Sequence, residues 1–214
     1  MRPTLMAFAC AGLLAAGARA DEAPAKDSTK EKFFNGKNTD GWEGLAKYWS
    51  VKDGALVGNT HPDGLKFNTF LCSKKKYTDF ELTFEVRLRG KGWPGNSGVQ
   101  VRSEVFDREH FAVKGPQCDI GAEYWGSLYG EHFGGMMKAA PTAVVKKVLK
   151  ENEFNDYYIK VVGKHVTIKL NGATTVDEDF PKMPASGIIA WQLHGGGPMD
   201  VTFKDVKFCD LSKK

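Results

Sequence analysis

Cysteine is scarce in this 214-residue chain: there are four, and no two form a Cys-x-x-Cys pair. Zinc-ribbon and thioredoxin chemistry therefore lack their motif. Long apolar runs are lacking as well. The longest, Leu5 to Gly17, falls well short of the ~20 residues that a membrane-spanning helix needs. No charge of one sign dominates, since 30 lysines and arginines face 26 acidic residues. The clustered basic field that nucleic acid or a membrane surface requires is missing. Lys74-Lys75-Lys76 is the only basic triplet and reads as a solvated turn. Neither an internal repeat nor a second domain is visible. At 42% apolar and 26% charged residues, the composition excludes wholesale disorder and a fibrous repeat.

The N-terminus reads as an address. Met1-Arg2 is a positive start, Leu5 to Gly17 is small or apolar, and Ala18-Arg19-Ala20 fits the small-x-small cleavage pattern. Residues 1–20 are expected to be a signal peptide. Residues 21–32, polar and aperiodic, are expected to be a flexible leader, and 33–211 a single domain. Losing Arg2 and Arg19 takes the 30 basic residues to 28, against 26 acidic ones. The expected location is outside the cytoplasm, periplasmic or extracellular. Cys72, Cys118 and Cys209 would remain, an odd number that permits at most one internal disulfide and does not identify its partners.

The body has the period of strands. Phe80, Leu82, Phe84, Val86 and Leu88 alternate with Glu81, Thr83, Glu85, Arg87 and Arg89, as a half-buried strand requires. His165 to Asn171 repeats the pattern and ends at an Asn171-Gly172 turn. Met199 to Leu211 places Val201 and Phe203 on one face, then Val206 and Phe208 after a phase shift. Shorter runs occur at Trp49–Val57, Thr69–Cys72, Gly98–Ser103, Gln117–Ile120, Tyr157–Val162 and Gly187–His194. Many short strands with glycine turns predict an all-β fold, a two-sheet antiparallel sandwich or jelly roll. One short helical excursion is expected over Pro141–Glu151.

Several patterns imitate catalytic motifs. Gly90-Lys-Gly-Trp-Pro-Gly95 matches a dinucleotide fingerprint, but Pro94 interrupts it and a strand follows, so no helix N-terminus is available for a pyrophosphate. No organic cofactor is therefore expected. His194-Gly-Gly-Gly197 resembles a lipase oxyanion loop, yet no G-x-S-x-G nucleophile elbow exists. Glu81 and Glu85 share a face but stand roughly 13 Å apart at ~3.3 Å per residue, too far for a glycosidase pair.

One constellation carries more information. Gln100 with Arg102, Gln117 with Asp119, and Gln192 with His194 each place two polar groups at i and i+2, hence on one strand face. Ordinary solvated faces are richer in Lys, Glu and Thr, as Phe80–Arg89 shows, although a sheet with one wet face would also produce such pairs. Amides, a guanidinium, a carboxylate and an imidazole are groups with directed hydrogen bonds. Glu123-Tyr124-Trp125-Gly126-Ser127-Leu128-Tyr129-Gly130 adds aromatic faces. Stacking faces beside polar edges suit a sugar ring, so a carbohydrate is the expected partner.

An ordered series of short motifs runs from Phe33-Phe34-Asn35-Gly36-Lys37 and Asp40-Gly41-Trp42 through Trp49-x-Val51-x-Asp53-Gly54-x-Leu56-Val57-Gly58. Asp79-Phe80-Glu81-Leu82, Asn96-Ser97-Gly98-Val99-x-Val101-Arg102 and Asn171-Gly172 follow in order. Gly187-Ile188, Gln192-x-His194-Gly195 and Val201-x-Phe203-Lys204-Asp205-Val206 complete it. In this series the sequence resembles the 3-keto-disaccharide hydrolase family. The run Gly115-Pro116-Gln117-x-Asp119-Ile120-Gly121 looks like one branch of the family. The more usual pattern carries a glutamate where Gly115 stands, so a role for that carboxylate does not transfer.

The resemblance implies a concanavalin A-like sandwich of the lectin and glucanase type, with one concave sheet. It also implies action on 3-keto-glycosides by C2 proton abstraction and elimination, with or without hydration. His194 would transfer the proton, an imidazole being suited to that near neutral pH. Asp119 would orient His194 or ligate a metal, and Glu123 is a second acid candidate. Arg102 and Gln117 would hold hydroxyls or the enolate oxygen, Gln192 would share their face, and Asn96, Trp125 and Tyr129 would shape the pocket. A divalent cation (Ca, Mg or Mn) is a further implication that the spacing does not demonstrate. The alternative is a non-catalytic carbohydrate-binding module using the same face.

Overall fold

A computed structural model describes residues 32–212. The expected signal peptide, and all of the expected leader except Lys32, lie outside the described residues. In chain order the strands are β1 (Trp42–Glu43), β2 (Trp49–Lys52), β3 (Ala55–Asn59), β4 (Thr69–Tyr77), β5 (Phe80–Gly90), β6 (Asn96–Asp107) and β7 (Ala112–Gly121). They continue with β8 (Leu128–Glu131), β9 (Gly135–Lys138), β10 (Asn155–Val162), β11 (His165–Leu170), β12 (Ala173–Asp179), β13 (Gly187–Leu193) and β14 (Met199–Asp210). One helix, α1 (Thr142–Val148), follows Pro141.

Two antiparallel seven-stranded sheets face each other. The first runs β1-β4-β13-β6-β7-β8-β9 and the second β12-β11-β10-β5-β14-β3-β2. The alternation read in the sequence builds the space between them. Phe80, Leu82, Phe84, Val86 and Leu88 are buried on β5, against Val99, Val101, Cys118, Ile120, Trp191 and Leu193 of the first sheet. Phe84 stacks on Tyr157 at 5.3 Å and meets Trp191 edge-on at 5.3 Å. Each such buried side chain contributes about 1.5–3 kcal/mol before chain entropy is charged against it.

The phase shift anticipated in the last strand is a bulge between Lys204 and Lys207, where Asp205 has φ +52°. It turns Val206 and Phe208 relative to Val201 and Phe203. Trp49–Val57 is a hairpin rather than one strand, turning at Asp53-Gly54. Lys74-Lys75-Lys76 is not a turn: the three residues are the exposed last part of β4, where antiparallel pairing with β13 extends the strand to Tyr77. Among the described cysteines none forms a disulfide; Cys72 and Cys118 are buried and Cys209 is half-buried. Burial raises the Cys72 thiol to about 12, so it stays protonated and inert.

Candidate functional site

The outer face of the first sheet carries the site. Because Val99, Val101, Cys118, Ile120, Trp191 and Leu193 point into the sandwich, their neighbours of opposite parity point out. Those neighbours are Gln100, Gln117, Asp119 and Gln192, yet all four are buried. They satisfy one another. Gln100 Nε2 donates to Gln117 Oε1 at 2.9 Å, and Gln117 Nε2 donates to Asp119 Oδ1 at 2.8 Å and to Gln192 Oε1 at 3.2 Å. Gly98 makes room for this chain, since a Cβ there would lie 2.6 Å from the Gln117 side chain.

Asp119 is the centre of the chain. Its backbone is fixed on three sides: its N–H donates to Ser127 O at 2.9 Å, while its carbonyl accepts from Gly126 N at 3.0 Å and from the Tyr157 hydroxyl at 2.9 Å. Burial raises its carboxyl from 3.8 to about 7, the Gln117 bond opposes the rise, and the nearby charge of Glu131 adds to it. Asp119 therefore exchanges its proton near neutral pH.

Beyond Asp119 opens a cavity of about 540 Å³. Gln117, Asp119, Asn96, Tyr129 and His194 border it, as do Asn68, Tyr124, Glu131, His132 and Met136. His194 follows β13 and contacts the carbonyl of Gly195 through Nδ1 at 2.6 Å. A carbonyl can only accept, so Nδ1 carries a proton, and in the neutral ring Nε2 is the basic nitrogen. Trp93 stands beside this ring at 6.4 Å.

Among the described residues no group of three or more His, Cys, Asp or Glu is arranged to hold a metal ion. The donors around Asp119 are mainly amide and hydroxyl groups.

The model of the 3-keto-alpha-glucoside-1,2-lyase-like domain matches residues 29–209. This chain belongs to that family. The lyase-like domain is thereby placed among carbohydrate-active domains. No curated protein matches its sequence. Among solved structures, it is similar to a candidate glycosyl hydrolase from Parabacteroides distasonis, at 22% identity, covering 83% of this chain and 92% of that one, with a TM-score of 0.59. It also resembles the carbohydrate-binding module CBM66 from Bacillus subtilis, at 16% identity over 78% and 94% of the two chains, TM-score 0.58. A galectin-like protein of unknown function from Bacillus subtilis shares 12% identity over 79% and 89%, TM-score 0.55. At these identities the likenesses establish the fold, a galectin-type sandwich. No helix among the described residues of the lyase-like domain is long and apolar enough to cross a membrane.

Four sequence expectations about this domain need correction. Arg102 does not reach the cavity. It sits at φ +48° in a bulge of β6, and this reversal sends its guanidinium to the end of the sandwich. There it pairs with Asp79 at 2.7 Å and donates to the carbonyls of Gly163 at 2.6 Å and Pro184 at 3.0 Å. Trp125 is buried in the core beneath a neighbouring cleft. Glu123 is exposed beside that same cleft and holds the Tyr124 hydroxyl above its ordinary value. Asp119 does not orient His194, since its side-chain bond is to Gln117 and that of His194 is to a backbone carbonyl.

Gly115 is explained by its backbone. It has φ +144°, and a Cβ there would lie 2.2 Å from Ser103 Oγ, so no side chain fits. Its cross-strand partner is Glu131, which projects a carboxylate from the same face of the next strand. Glu131 accepts from Asn68 Nδ2 at 2.8 Å. Tyr129 and Glu131 form a further i, i+2 pair, on β8.

Proposed function

We propose that the domain cleaves 3-keto-glycosides by elimination in the cavity beside Asp119, and that it does so outside the cytoplasm after removal of residues 1–20. The observation that carries the proposal is the pairing of a carboxyl poised at about 7 with a second cavity residue, His194, whose Nε2 is basic in the neutral ring. The ketone at C3 acidifies the hydrogen on C2. His194 Nε2 takes that proton. Asp119, in its protonated form, donates to the C3 oxygen as negative charge develops there, as a carboxylic acid held neutral by its surroundings can. The enolate then expels the C1 substituent, which leaves with a proton from solvent, and an unsaturated keto-sugar remains. Water adding at C1 would turn elimination into net hydrolysis. Asn96 and Asn68 are placed to bond hydroxyls, and Tyr124 and Tyr129 offer ring faces.

A binding module using the same face is the competing reading, supported by the likeness to CBM66. Mass analysis of products from a 3-keto-glucoside separates the two. Turnover that falls in His194→Ala and Asp119→Asn supports the lyase reading. Sugar binding without product, or turnover unchanged in both folded variants, refutes it.

A further inference from the structure

A second hollow of about 190 Å³ opens from the first, with Asn68, Glu131 and His132 lining both. Its chemistry is different. Phe67 and Ala112 wall it, over Phe70 and Val113 from a small apolar cluster on the outer face of the first sheet. At the rim His110 Nδ1 meets Asp107 at 2.8 Å, and the ring stands edge-on to Phe67 at 4.4 Å. Asp107 thereby fixes the imidazole and leaves Nε2 as the nitrogen able to meet a ligand. Phe106, half exposed, continues the rim with its ring 4.9 Å from that of His132.

The division of this face into a polar and an apolar compartment needs a ligand with the same division. We propose that the apolar hollow is the aglycone subsite, and that the preferred substrates are 3-keto-glycosides of a neutral, planar, aromatic alcohol. This rests on reading the main cavity as a 3-keto-glycoside site and names the part of the substrate that reading leaves open. A second sugar is disfavoured, because hydroxyls lying over Phe67, Phe70, Ala112 and Val113 would lack partners, the polar groups Asn68, Asp107, His110, Glu131 and His132 lining only part of the hollow. An anionic ring is disfavoured by Glu131 and Asp107. The two hollows together lie within the ~300–1,000 Å³ of small-molecule sites.

The test uses the full chain and four substrates: methyl, phenyl, naphthyl and 4-carboxyphenyl 3-keto-glucoside. Turnover is measured with the wild type, and affinity by calorimetry in an Asp119→Asn background, where substrate persists. The phenyl glycoside is expected to bind about 10- to 100-fold more tightly than the methyl one, the worth of burying one ring. The 4-carboxyphenyl glycoside should lose most of that gain. Phe67→Ala, at a partly exposed wall, should bring the phenyl-to-methyl ratio close to one while methyl turnover is kept. Val113→Ala, which deepens the floor, should move the preference towards a naphthyl aglycone. Methyl turnover with equal affinity for phenyl and methyl, or a phenyl preference untouched by both variants, overturns the subsite alone. A phenyl preference with no turnover of any substrate supports the subsite and overturns the lyase reading instead.

Discussion

Replacing Asp119 by asparagine is expected to stabilise the fold and silence the site. Asp119 is raised from 3.8 to about 7, chiefly by burial. Below pH 4 both folded and unfolded chains hold its proton, and the group costs nothing. Between pH 4 and 7 the unfolded chain ionises while the folded chain does not, so stability falls as pH rises. Above 7 both are ionised and the loss is complete. At ~1.36 kcal/mol per unit, a shift of this size costs up to about 4 kcal/mol. The amide of Asp119→Asn would keep an acceptor for Gln117 and carry no charge. Urea unfolding of wild type and Asp119→Asn at pH 4, 6 and 8 reads the effect. The variant should gain little at pH 4 and up to about 4 kcal/mol at pH 8. A stability difference independent of pH, or a variant less stable at pH 8 than the wild type, would refute the burial argument.

The neighbours of Asp119 should move the same titration in opposite directions. Gln117→Met removes a bond that favours the ionised form, so the alkaline limit of activity should shift to higher pH. Glu131→Gln removes a repelling charge, so the limit should shift lower; pH profiles of kcat/KM check both. Gly98→Ala should displace the Gln117 side chain and lower kcat/KM about 10-fold or more, with the fold retained by circular dichroism. Arg102→Met should destabilise by roughly 3 kcal/mol, because it strips partners from Asp79 and from the carbonyls of Thr78, Gly163 and Pro184 at the sandwich end. Its KM for a 3-keto-glucoside should stay at the wild-type value, as steady-state kinetics would show. Phe84→Ala should cost about 3–5 kcal/mol through the cavity left beside Tyr157 and Trp191, measurable by urea titration.

The sandwich was legible because a strand's period is two, and burial selects it directly. Phe80–Leu88 and the shifted phase at Val206 are written in single residues. The same period exposed the outer-face pairs Gln117 with Asp119 and Gln192 with His194. It failed at Arg102, where a positive φ at a non-glycine residue inside a bulge reverses the side chain and leaves no local sign. It failed differently at Trp125, whose indole is drawn into the core although its neighbours Tyr124 and Tyr129 face the cavity. Asn68, Glu131 and His132 belong to a loop, the end of the four-residue β8 and the turn that follows it, too short for periodicity to stand out from glycine-rich surroundings. Reading Tyr129 and Glu131 as one more i, i+2 pair would have recovered the second carboxylate. Asp107 and His110 stand three residues apart in sequence, but only the fold sets them beside Phe67.

The mechanism turns on one bond, the C2–H of the keto-sugar. A 3-keto-glucoside deuterated at C2 should be cleaved with a primary isotope effect, and its label should appear in solvent or be absent from the unsaturated product. Cleavage that retains the deuterium at C2 at an unchanged rate would contradict the elimination pathway.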